Sequence, residues 1–380
     1  MNTTAPIATA QSTAPDARLA VQEFHEQLGA VEAALVLFFC SSDYDLEALA
    51  DEMNRRFPGV SVVGCTTAGE IGPAGYLEKS LSGVALPSGG FTAVAGCLES
   101  LQGFDPAAAR TFGRDLLHRL EAVAPPLCGR NAFGLLLVDG LSVREEVVAH
   151  AFQSVLGPIS LVGGSAADGV AFSRTRVFHD GGFHDDSAVL VLAHTELPFR
   201  PFKTQHFLLR DERLVVTEAD APNRVVREIN GLPAAEEYAR LIGVAVSELD
   251  PMHFAGAPVV VVLDGTDYVR SIQKANPDGS LTFYCAIDEG LVLRVAAGED
   301  LLADLRRTFT RLREQLGPPR LVLAFDCILR RLEVAHKGQV NEVGKVFRDN
   351  AAVGFSTYGE QYGGVHVNQT LTGIAFGGGI

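Results

Sequence analysis

The sequence predicts an α/β protein of two domains, built from mixed, largely parallel-type β-α-β repeats covered by helices. Three observations carry this. The chain has 380 residues, room for two domains of about 150–200 residues each. Its composition, 47% apolar and 20% charged, is that of a globular protein able to bury a core. One order of parts also recurs three times, with the signatures VVGCTTAGEI (62–71), LVGGSAADGV (161–170) and AVGFSTYGEQ (352–361).

From the N-terminus, residues 1–29 are expected to form a disordered leader. Their first 18 residues lack the basic and apolar regions of a signal peptide, so the chain is expected in the cytoplasm. The N-terminal domain, 30–200, holds two copies of the repeat. Apolar runs ALVLFFCSSD (34–43) and FGLLLVDGLS (133–142) read as strands, and DLEALADEMNRRF (45–57) and REEVVAHAFQSVL (144–156) carry helical spacing. Each signature is followed by another strand-like run, SLSGVALP or SAVLVLAH. A boundary is expected near Pro198–Gln205. The C-terminal domain, 201–380, begins differently, with the strand VVVVLDG (259–265) and the hairpin IQKANPDGSLTFYCAI (272–287), whose Pro-Asp-Gly marks a turn. It closes on the third copy: LVLAFDCILR (321–330), a helical stretch through Lys345–Asp349, the signature and TLTGIAFG. Short Val/Leu/Ile/Phe runs joined by a helix indicate adjacent parallel strands covered on both faces.

The formal charge of −15 is spread along the chain, which argues against a nucleic-acid or anionic-lipid partner. No stretch approaches the roughly 18 apolar residues of a membrane span. The six cysteines show no metal or haem-attachment spacing and read as free thiols, and the ten histidines form no zinc-hydrolase motif. None of the glycine-bearing turns matches a nucleotide-binding pattern.

In open α/β sheets, ligands collect beyond the carboxyl ends of strands, where each signature stops. The polar residues there are Cys40, Ser41, Thr66, Thr67 and Glu70 in the first copy, Asp139, Ser165 and Asp168 in the second, and Asp326, Cys327, Arg330, Ser356, Tyr358 and Glu360 in the third. Such residues also serve turns and helix caps. Cys65 or Cys327 as the nucleophile of a transferase or hydrolase needs a base and an oxyanion site. One axial histidine in an apolar pocket suffices to hold haem. The histidines within or beside strand-like runs are His179, His184, His194, His206 and His366, with Arg330 and Arg331 as candidate propionate partners.

At these signatures the chain resembles the FIST family, sensory proteins with N-terminal and C-terminal FIST domains. VVGCTTAGEIG is similar to the N-terminal motif, and FDCILRRLE, GFSTYGEQ and HVNQTLTG to the C-terminal ones, with YVRSIQ and DGSLTFYCAIDEG at the start of that domain. The resemblance spans roughly residues 30–380. It implies a ligand-binding sensor without catalytic machinery, acting with a separate histidine kinase or cyclic-di-GMP enzyme. The TYGEQYGGVHVNQT ending resembles the haem-binding, nitric-oxide-sensing branch. That implies haem b, for which the strand-end residues Thr66, Thr67, Cys327, Arg330, Tyr358 and Glu360 are the candidate pocket. The resemblance leaves the axial ligand open, and among the five histidines His366 and His184 come first because each stands beside an apolar strand-like run. An amino acid or other small metabolite is the alternative ligand.

Overall fold

The computed structural model describes residues 6–263 and 266–378. Three copies of one unit account for most of it. The first runs β1 (Ala8–Ser12), α1 (Ala17–Leu28), β2 (Ala33–Ser41), α2 (Leu46–Arg56), β3 (Val62–Thr67), a hairpin of β4 (Glu70–Gly72) and β5 (Gly75–Leu77), and β6 (Leu81–Pro87). The second repeats that order as β7 (Phe91–Leu98), α3 (Pro106–Glu121), β8 (Ala132–Val138), α4 (Glu145–Leu156), β9 (Ser160–Ser165), hairpin β10 (Val177–His179) and β11 (Gly182–His184), and β12 (Ala188–Thr195).

The third unit opens with β13 (Phe199–Thr204) and is then interrupted. The insertion comprises β14 (Phe207–Asp220), β15 (Val225–Ile229), β16 (Leu232–Pro233), α5 (Ala234–Ile242), α6 (Pro251–Gly256), β17 (Val259–Leu263), β18 (Thr266–Arg270), β19 (Ile272–Ala275), β20 (Leu281–Phe283) and β21 (Val292–Gly298). These strands form one antiparallel eight-stranded sheet with its own core around Tyr238, Phe254 and Leu293. The expected Pro-Asp-Gly hairpin is β19–β20. The strand expected over 259–265 is β17, and Asp264 and Gly265 lie outside the described residues. The unit then resumes with α7 (Leu301–Leu316), β22 (Pro319–Cys327), α8 (Ile328–His336), α9 (Val340–Asp349), β23 (Ala352–Thr357), hairpin β24 (Glu360–Tyr362) and β25 (Val365–Val367), and β26 (Leu371–Gly377).

Each unit's β-α-β element gives one parallel pair, β2–β3, β8–β9 and β22–β23, as expected. The other pairings are antiparallel because hairpins and edge strands supply them. The hairpins do not stay in their own units. β4–β5 joins the third unit's sheet beside β23, β10–β11 joins the first beside β3, and β24–β25 joins the second beside β9. This cyclic exchange makes three six-stranded sheets around a pseudo-threefold axis.

Alternation along the strands fixes how the sheets pack. Leu35, Leu37 and Phe39, Phe133, Leu135 and Leu137, and Leu321, Leu323 and Phe325 all point into one central core. Their neighbours, such as Val36, Phe38, Leu136 and Val322, point outward beneath the helices. Phe39 stacks on Phe355 at 4.8 Å across units. The first glycine of each signature has a steric cause. A Cβ on Gly64, Gly163 or Gly354 would lie 2.6, 1.9 or 1.7 Å from the carbonyl oxygen of Phe38, Leu136 or Ala324 on the parallel neighbour.

Two expectations meet different structure. The leader is ordered from residue 8: β1 pairs with β6 from Ala8↔Ala85 to Ser12↔Leu81, and α1, capped by Asp16, buries Ala20, Val21 and Phe24. Backbone pairing and this apolar stripe order a segment whose Ala/Thr-rich composition reads as disordered. Residues 1–5 lie outside the described residues. The boundary placed near Pro198–Gln205 falls on β13, which pairs with β26 from Phe199↔Phe376 to Thr204↔Leu371. The third unit thereby shares the central core with the first two, and the segment with a sheet of its own is Phe207–Gly298.

Candidate functional site

The three signatures converge at one end of the axis, tied by a ring of backbone bonds. Ala68 N–H donates to the Ser356 carbonyl (3.0 Å), Ala167 N–H to Thr66 (2.9 Å) and Tyr358 N–H to Ser165 (3.4 Å). In the first and third units the turn after the ring is closed alike. Thr67 hydrogen-bonds Glu70, whose other oxygen accepts from Ser80 N–H (3.1 Å) and Oγ (2.7 Å). Thr357 hydrogen-bonds Glu360, which accepts from Thr370 N–H (3.2 Å) and Oγ1 (2.7 Å). In the second unit Ala166 and Gly169 replace the Thr and Glu, and a longer loop runs to Val177. Asp168 holds that loop by accepting from the backbone of Phe172 (2.9 Å), Ser173 (2.8 Å) and Arg174 (2.7 Å) and by bonding the Tyr358 hydroxyl. Those bonds keep its carboxyl below its ordinary value against the opposing effect of burial.

This departure from threefold symmetry borders a cavity of about 420 Å³. Its walls are the Thr67–Glu70 turn, Ser41–Asp43, Glu78 and Lys79, residues 168–171, and the α8 face of Ile328, Arg331 and Leu332. Arg331 is 8% exposed. Its Nη2 donates to the Leu77 carbonyl (2.9 Å) and Glu78 Oε1 (3.1 Å), and its guanidinium lies 4.5 Å above the Tyr76 ring. Nη1 is buried with no hydrogen-bond partner. Gly69, at φ +132°, packs on the same guanidinium: a Cβ there would come within 2.4 Å of Nη1. Phe172, stacked on Tyr358 at 4.6 Å, lines a second cavity of about 440 Å³, shared with the insertion through Arg224, Phe283 and Tyr284.

The family model of the FIST N domain matches residues 34–232, more than half the chain, and that of the FIST C domain matches residues 234–363. The chain belongs to the FIST family. FIST domains are sensory, ligand-binding domains of signal transduction. No curated protein matches this FIST chain. No helix among its described residues is long and apolar enough to cross a membrane.

Of the expected site residues, Thr67 lines the first cavity and Tyr358 the second. Thr66 is buried beside them, its Oγ1 accepting from Arg176 N–H (3.0 Å). Glu360 closes its turn beneath the ring, and Cys327 packs with Ala68, Ala167 and Tyr358, at the same end of the sheets. Arg330 faces away from the cavity into a buried ion network with Asp326 and His206. His366 is 1% exposed, bonded through Nδ1 to Gln361 (3.3 Å), with Nε2 unpartnered. Burial pushes it down to about 4. His184 lies on β11 opposite Val177, which pairs with Cys65 of β3, and His194 is buried on β12. His206 is committed to Arg330 and Glu333, and His179 borders a separate cleft near Pro58.

These positions do not fit haem. None of the five histidines borders either strand-end cavity, and Gly359 packs on the His366 ring so closely that a Cβ would come within 2.2 Å of Cε1. Sequence reading left Arg331 as a propionate partner and missed its place beside Gly69. The available signal was helical spacing, since Ile328, Arg331 and Leu332 share one face of α8.

The thiols carry a first prediction. Cys40, Cys65, Cys285 and Cys327 are buried and Cys97 and Cys128 partly exposed, and burial pushes Cys65 and Cys327 well up. Thiolate is the reactive form. With a thiol reagent, Cys128, which backbone hydrogen bonds hold below its ordinary value, is therefore expected to label fastest in the native protein, Cys97, which burial pushes up to about 11, more slowly, and the buried four only on unfolding. Fast native labelling of Cys65 or Cys327 would favour a nucleophilic role.

A second prediction concerns pH. Burial pushes Glu70 up to about 7, opposed by its bonds to Thr67 and Ser80 and by Arg331, and pushes Glu360 up to about 8. Both folded values lie above the about 4.3 of an unfolded glutamate, so the folded state holds these protons more tightly. Their contribution is fully present below the unfolded value and is lost as pH rises through the folded values. Denaturant midpoints should fall between about pH 5 and pH 8, and the E70Q/E360Q double variant should flatten that fall.

Proposed function

We propose that this FIST protein senses a small carboxylate metabolite of the amino-acid class, bound in the strand-end cavity with its carboxylate on Arg331. The observation that carries the reading is the buried guanidinium with an unpartnered Nη1 in the cavity wall. A buried donor without an acceptor costs about 1–3 kcal/mol, and a carboxylate supplies the acceptor in the fork geometry that arginine favours. Glu78, whose side chain is 73% exposed, is the exchangeable partner a ligand would replace. Ser41, Ser42 and Asp43 offer acceptors for an ammonium group, and Ala68, Val170, Ile328 and Leu332 an apolar surface for a side chain. The volume lies in the range of small-molecule sites.

Ligand binding in this place bears on the loop at 168–171 and, through Asp168 and Tyr358, on the Phe172–Tyr284 contact with the insertion (5.9 Å). The insertion is thus the route by which occupancy would reach a separate histidine kinase or cyclic-di-GMP enzyme. The test is calorimetry of the full chain against amino acids and small carboxylates, with haemin and nitric oxide as a parallel arm. A one-to-one carboxylate complex lost in R331M supports the reading. A stoichiometric haem spectrum that responds to nitric oxide and is lost in H366A or H184A would replace it.

A further inference from the structure

We propose that Cys97, Glu99 and His184 form a binding site for a divalent cation of the zinc class, separate from the ligand cavity. Their ligand atoms, one thiol, one carboxylate oxygen and one imidazole nitrogen, all lie within 4.8 Å of one another. Four donors around a tetrahedral ion at ordinary bond lengths stand about 3.3–3.7 Å apart, and His184 Nδ1 is already 3.4 Å from Glu99 Oε1. Cys97 lies on β7 and Glu99 directly follows it. In an extended chain that two-residue spacing turns both side chains to one face.

A second observation, outside the trio, singles out the imidazole. His184 Nε2 lies 3.1 Å from the His179 carbonyl oxygen across the β10–β11 hairpin. A carbonyl only accepts, so Nε2 carries the hydrogen and Nδ1 presents its lone pair to Glu99 and Cys97. Backbone orientation of the far ring nitrogen is the usual support of a metal-bound histidine. The mixed sulfur, nitrogen and oxygen set suits zinc better than calcium or magnesium, which take oxygen ligands.

The location gives the ion a role. β10–β11 belongs by sequence to the second unit but is paired into the first unit's sheet, whereas β7 is the edge of the second unit's sheet. An ion held by all three residues clamps the exchanged hairpin to the sheet of its own unit. The Glu99 side chain is 63% exposed and that of His184 30%, so the ion can enter from solvent and keep a water as fourth ligand. On binding, the thiol proton passes to solvent and the sulfur becomes a thiolate ligand.

The test uses the full chain, reduced and freed of metal, titrated with cobalt(II) as a spectroscopic probe. One cobalt per chain is expected, with tetrahedral visible bands and a thiolate-to-cobalt charge-transfer band, all displaced by zinc. C97S should lose the charge-transfer band. H184Q and E99Q should weaken binding by at least about tenfold, as even supporting residues do at metal sites. C128S should match the parent, and far-ultraviolet dichroism checks that each variant is folded. Bound zinc should also protect Cys97 from thiol labelling while Cys128 stays reactive. The proposal is overturned if the parent takes up no stoichiometric cobalt or if C97S retains the charge-transfer band.

Discussion

Replacing Arg331 by Met is expected to weaken carboxylate binding by about 30-fold to several thousand-fold, the effect of removing about 2–5 kcal/mol of buried charge pairing. Stability should change much less. The variant gives up two hydrogen bonds and the contact over Tyr76, but it also removes the buried Nη1 that has no partner. Arg331→Lys keeps the charge without the planar fork, so its affinity should fall between parent and Met variant. Gly69→Ala probes the same group from the other side, because its Cβ would come within 2.4 Å of the guanidinium at a φ that disfavours side chains. Calorimetry with the tightest-binding carboxylate, beside denaturant unfolding of each variant, separates the two effects. Unchanged affinity in Arg331→Met would remove the ligand from this cavity.

The parts of the fold that repeat locally were legible. Continuous apolar runs joined by amphipathic stretches marked each parallel pair, and the recurring signature glycine marked where one backbone lies against its neighbour's carbonyl. Hairpin exchange left no local trace, because β4, β10 and β24 are three-residue strands whose partners are chosen by packing around the axis rather than by periodicity. The strand and helix opening each unit were missed for another reason: they precede the signature, and in the third unit the insertion separates β13 from α7. Strand ends pointed to the end of the molecule where the three signatures converge. Choosing between adjacent arginines required a helix face, since successive residues on a helix point about 100° apart, and Arg330 and Arg331 accordingly serve different purposes.

Arg330 fastens α8 from beneath, and cutting that fastening should give the largest stability loss among the variants considered. It is 1% exposed. Its Nε donates to Asp326 Oδ1 (2.7 Å) and its Nη1 to His206 Nδ1 (3.0 Å). His206 is therefore the neutral Nε2–H tautomer, donating to Glu333 (2.8 Å), and burial holds its protonation below the ordinary range. Asp326 is also bonded by the Tyr76 hydroxyl. Asp326→Ala leaves the guanidinium buried with only a neutral partner, so unfolding should become easier by about 3–5 kcal/mol, the usual result of stripping one member from a buried pair. Removing both charges together, as Asp326→Leu with Arg330→Met, should recover most of that loss, since an apolar pair of similar bulk avoids the desolvation of either ion. Because α8 also carries Arg331, the single variant should bind carboxylate more weakly and the double variant should bind it nearly as the parent does. Equal losses in single and double variants would instead mean that shape, not charge, holds α8 in place.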